Sequence, residues 1–267
     1  MRGVTAAEGD IGTAAPPEPA QEAPDGPDAH AAEVAAAAVP PSRGRTVAVL
    51  GAAALGALVP QLWFRAGTFI AVGDTFPELR GLAGITRFWG TDITGTGSTG
   101  YPSARLLERG LVHVVDALGG SPELAQRLWF TLVVAVLGAA VAWMAAAMVR
   151  HPVAVFTAGA LGVLNPYVLV RVPNLQPLIA LGAMAILIGI VVRMGKEQHV
   201  PLPAGLALAV WAAPLARTPP LLLMVVVVGV VSFLALALAG VVAPVARLSL
   251  VIVAGSLFWA VPFALHH

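Results

Sequence analysis

The sequence predicts an all-α fold, a polytopic transmembrane helical bundle of about seven spans. Three observations predict it. Hydrophobic residues make up 58% of the 267 and charged residues only 11%, against roughly 25% charged in soluble domains. Mean hydropathy is +0.86. The apolar stretches have the length of a bilayer crossing, roughly 20 residues, and the charges fall between them. This composition excludes a disordered chain and a soluble enzyme of ordinary make-up. The absence of Cys excludes thiol catalysis, cysteine zinc sites and a disulfide scaffold.

Residues 1–42 carry seven acids against the single base Arg2, and almost no large apolar side chain. Such a segment cannot bury enough surface to order itself, and is expected to be a disordered cytoplasmic tail. Its acidity and the scattered bases elsewhere give no footprint for nucleic acid. No apolar core follows Arg2, so it does not read as a signal peptide. The membrane region, 43–267, opens with the first span, TVAVLGAAALGALVPQLWF at 46–64. Arg43 and Arg45 before it place its start inside, and Trp63 suits the outer interface.

From Arg127 onward, bases punctuate the chain. The clearest spans are 128–149, 152–170, 177–192, 220–242 and 248–265. Segment 200–216 is the weakest, because Pro201, Pro203 and Pro214 shorten its helix; a re-entrant path there would reverse the sidedness of all that follows. With seven spans, Arg150 and His151, Arg193 and Lys196, and Arg247 fall inside, while Arg171 and Arg217 fall outside, the arrangement the positive-inside rule favours. A multi-pass plasma-membrane protein with a cytoplasmic N-terminus is therefore expected. The chain stops directly after the last span, so it is expected to be the N-terminal part of a longer protein.

Residues 65–126 form the one long polar segment, an outer loop by this topology. Leu79, Leu82, Thr86 and Trp89 have the spacing of a short interfacial helix. Leu107, Leu111, Val114 and Leu118 predict a second one over 103–118. Gly90, Gly95, Gly97 and Gly100 mark a turn between them. Ser121-Pro122-Glu123 is a helix start, with a cap, a proline at the first position and an acid in the first turn.

The run GTDITGTGSTG lacks the Gly-Lys-Ser/Thr of a phosphate loop, and the six His show no ligand spacing apart from the terminal pair, so no metal site is expected. Asp74, in AVGDTFPEL, is the sharpest candidate for chemistry. A carboxylate just outside the membrane can take a proton from a sugar hydroxyl, or hold a divalent cation against a phosphate. It can equally cap a helix beginning near Phe76-Pro77. Arg171, at the outer end of a span, can grip a lipid-linked phosphate or be a plain interfacial arginine. Asn165-Pro166 predicts a kink.

The stretches GDTFPEL, FWGTD (88–92), GYPSARLLERGLVHVVDALG (100–119), AQRLWFTL (125–132) and LNPYVL (164–169) resemble the N-terminal membrane domain of the α-(1→3)-arabinofuranosyltransferases. These are GT-C membrane glycosyltransferases that build cell-envelope arabinan from decaprenyl-phosphoryl-arabinose. The likeness spans about 45–235. It implies that Asp74 is the catalytic acid-base residue of the first outer loop. By extension, Glu78, Tyr101, Arg127 and Arg171 are expected to bind the donor phosphate and the acceptor sugar. The expected partners are a polyprenyl-phosphate donor, a glycan acceptor and the bilayer, with no cofactor and the use of a divalent cation left open. The competing reading is a non-catalytic polytopic scaffold or flippase-like protein. A transport pathway would put ionisable residues within the spans, where almost none occur.

Overall fold

The computed structural model describes residues 43–64, 106–170, 174–197 and 201–265. The tail 1–42, the helix expected near 79–89 and the glycine turn lie outside them. Among the described residues every regular element is helical. Six helical stretches are long and apolar enough to cross a membrane.

The first, α1, runs Arg43–Leu58 and tightens into a 3₁₀ turn at Val59–Leu62. An amphipathic helix, α2, spans Leu106–Ala117. Gly119 ends it with φ 74°, and the Gly120 N–H donates back to the Val115 carbonyl at 2.8 Å, a Schellman-type stop. The long α3, Pro122–Met148, starts where the sequence predicts. The Ser121 hydroxyl accepts from the Leu124 N–H at 3.3 Å, with Pro122 and Glu123 in the first turn. Then come α4 (Pro152–Leu164), the single-turn α5 (Pro166–Val170) and α6 (Gln176–Glu197).

The break between α4 and α5 has a local cause. Pro166 has no N–H to offer the Gly162 carbonyl. Asn165 takes over: its Nδ2 donates to the Gly162 and Leu161 carbonyls at 2.8 and 3.3 Å, and its Oδ1 accepts from the Val168 N–H at 3.0 Å. One amide side chain thus serves both sides of the kink. Asn165→Ala should lower stability by about 1 kcal/mol, the scale of a polar contact inside a membrane protein. Unfolding of purified protein titrated with a denaturing detergent checks this. A midpoint equal to wild type would mean that the kink does not depend on the side chain.

Around α3 the other helices gather. It packs on α1, α2, α4 and α6. Its Phe130, Val133, Val134 and Leu137 are sealed in the core with Leu178, Ile179, Leu187 and Ile190 of α6. Small residues bring α1, α3 and α4 close. A Cβ placed on Gly138 would stand 2.6 Å from the Ala52 carbonyl oxygen, and one on Gly159 would stand 2.5 Å from the Ala52 Cβ and 2.9 Å from the Ala142 Cβ. In lipid, where apolar burial gives no driving force between helices, such close backbone approach is what holds them.

Segment 200–216 departs from a full span. It forms an eleven-residue helix, α7 (Leu202–Ala212), and a 3₁₀ turn, Ala213–Arg217. Together they rise about 26 Å, short of the roughly 30 Å hydrocarbon core. The prolines named above are the reason. Pro214 cannot donate to the Val210 carbonyl, so the Ala213 N–H does, and the Ala209 carbonyl loses its helical partner. The indole Nε1 of Trp259 donates to it at 3.1 Å. Trp211 Nε1 in turn donates to the Ile179 carbonyl at 3.2 Å.

The last two helices are α8 (Pro219–Leu238) and α9 (Val242–Leu265). Gly229 faces Leu187 and Gly195 faces Leu236, so α8 runs parallel to α6. Gly205 lies at Leu248 and Gly255 at Ala209, so α9 runs parallel to α7. The short segment therefore carries the chain from one end of the bundle toward the other, and the alternation of direction is not reversed there.

Candidate functional site

The polar segment 65–126 leaves and rejoins the bundle at one end. The first helical stretch finishes at that end with Trp63 and Phe64, and α2 packs against α3 close to where α3 begins. Phe64 meets Phe130 edge-on, with centroids 5.4 Å apart, and Trp63 does so at 6.4 Å. Arg127 stands over the Phe64 ring, its guanidinium carbon 5.4 Å from the centroid. That is within the range of a cation–π contact. Below it, Gln61 Nε2 donates to the Thr131 hydroxyl at 2.7 Å, and that hydroxyl donates to the Arg127 carbonyl at 2.7 Å. This chain ties the exit of the first stretch to the start of α3.

Two polar side chains are almost wholly buried here, Arg109 of α2 and Gln126 of α3, at 6% and 4% exposure. Glu108 and Glu123 are half-buried at the same end. The arrangement sets Arg127, half-exposed, on an aromatic support at this end of the bundle. A cation held at the interface in this way can receive a phosphate group.

Of the residues expected to act, only Arg127 falls among those described. Asp74, Glu78, Tyr101 and Arg171 lie outside them. The second helix expected over 103–118 is present as α2. Val114 and Leu118 of the expected stripe are exposed, at 57% and 82%, whereas Arg109, Val112 and Val115 are buried, with Leu107 and Leu111 at the edge. An interfacial helix has two apolar neighbours, the protein and the acyl boundary, and one stripe serves each. The buried stripe contains an arginine, which hydrophobic periodicity does not count, and the same holds for Gln126 inside AQRLW. Among the described residues no group of three His, Asp or Glu side chains stands together as a metal site.

No family model, no curated protein and no solved structure matches the chain.

Proposed function

We propose that the chain is part of a GT-C-type membrane glycosyltransferase that transfers a sugar, arabinofuranose by the resemblance above, from a polyprenyl-phosphate donor to a cell-envelope glycan. One observation carries the reading. The long acid-bearing segment begins and returns at the same end of the bundle, where an amphipathic helix packs on α3 beside a supported arginine. That is the layout a lipid-linked donor requires, with the phosphate at the interface and the sugar outside it. Seven crossings, six of full length and one short, accord with the helix directions.

In the mechanism, Asp74 takes the proton of an acceptor hydroxyl as its oxygen attacks the anomeric carbon. The bond from that carbon to the phosphate oxygen breaks, and polyprenyl phosphate leaves with the electron pair. Arg127 and Arg171 balance its charge. No nucleotide enters the reaction.

The test is transfer of radiolabelled arabinose from decaprenyl-phosphoryl-arabinose to an arabinan oligosaccharide, by membranes holding the wild-type protein. Transfer above that of membranes lacking the protein supports the proposal. Its absence would favour the scaffold reading.

A further inference from the structure

The opposite end of the bundle carries a different charge pattern. Arg43 and Arg45 at the start of α1, Arg150 and His151 in the turn after α3, and Arg193 and Lys196 at the end of α6 all belong to it, with Glu197 the one acid in these segments. Their convergence is visible in the acceptors they use. Arg45 donates to the Ala146 carbonyl at 3.3 Å, Lys196 Nζ to the Ala147 carbonyl at 3.1 Å and Arg193 to the Trp143 carbonyl at 3.2 Å. The Arg193 guanidinium carbon also stands over Trp143, 4.1 Å from its ring centroid. Gly44 abuts Pro152, which brings Arg43 to the turn holding Arg150.

Three cations from two helices therefore meet on the last turns of a third. The carbonyl end of a helix supplies about half a negative charge, less than the two unit charges that Arg45 and Lys196 bring to it. Arg45 has five N–H donors and Lys196 three, more than their carbonyl contacts use. Arg43, Arg150, His151 and Lys196 are exposed.

We propose that this end binds the phosphate headgroup of an anionic phospholipid in the leaflet it faces. Bases brought together between helix ends at a membrane surface are the chemistry that recognises such headgroups. The site is remote from Arg127 and does not depend on the transferase reading.

Native mass spectrometry of the full chain in detergent tests it, with short-chain phosphatidylglycerol, short-chain phosphatidylcholine and inorganic phosphate as separate probes. Two paired variants are compared with wild type, Arg45→Gln with Lys196→Gln, and Arg43→Gln with Arg150→Gln. The second pair is exposed at both positions and leaves the carbonyl contacts of α3 intact, so folding is not at issue. Phosphatidylglycerol should bind in preference to phosphatidylcholine, and should weaken about tenfold or more in the second variant. Equal affinity for the two lipids, or unchanged phosphatidylglycerol binding in the second variant, overturns the proposal. So does inorganic phosphate that displaces the lipid at matched concentration, which would mark a free-anion site instead.

Discussion

Gly159→Leu should yield little folded protein. Gly159 sits where α4 crosses both α1 and α3, and a Cβ alone would fall well inside contact distance of Ala52 and Ala142, each fully buried. Neither alanine has a flexible end to move aside. The Gly138 carbonyl, 3.0 Å from the same point, closes the third side. The helices must separate, and the cost is about 3 kcal/mol or more, the upper part of the overpacking range. Fluorescence-detected size exclusion of the tagged protein reads the loss as a fall in the monodisperse peak. Gly110→Ala is the contrast, because Gly110 is helical and exposed with nothing within 4 Å of an added Cβ. It should be neutral or stabilising by about 1 kcal/mol. A Gly159→Leu peak equal to wild type would mean that the close packing of the three helices is not what holds them.

Asp74→Asn should reduce sugar transfer by about 10²–10⁴-fold at matched membrane level, the usual worth of a positioned general base. Asparagine keeps the size and the capping oxygen but cannot take a proton. A residue that only caps a helix would therefore tolerate the change within about 1 kcal/mol of stability, with transfer intact. The two roles open for Asp74 are separated by this one variant. Equal transfer by variant and wild type would remove Asp74 from the mechanism.

Features set by a few neighbouring residues could be read from the sequence. Ser121-Pro122-Glu123 fixes the start of α3, and Asn165-Pro166 fixes the kink, because each acts through its own backbone. The placing of bases also foretold which helix ends lie together, since Arg45, Arg193 and Lys196 meet on α3. Features that need two distant segments could not be read. The bond from Trp259 to the Ala209 carbonyl exists only because Pro214 alters a helix fifty residues earlier in the chain. Gly138 and Gly159 look like any glycine in an Ala-rich span until Ala52 is set between them. At the same end, Arg127 could be named as a candidate from the sequence, whereas the burial of Arg109 could not be read. A buried arginine within an amphipathic helix breaks the apolar pattern by which its contact face would be found.

The close fit of α1 to α3 bears on how the protein is made. Among the six candidate spans α1 is the least apolar, and its buried positions are small residues that meet α3 and α4. By itself it has the weakest hold on the bilayer of the six. Its partner is complete only at residue 148. At ribosomal speeds of about 5–20 residues per second, α1 waits on the order of five to twenty seconds for the helix that retains it. During that interval the insertion machinery is expected to shelter it. Nascent chains stalled before and after α3 emerges would show this directly: crosslinks from α1 to the translocation channel should persist in the first and vanish in the second. Early release of α1 into lipid would mean that its own apolarity suffices.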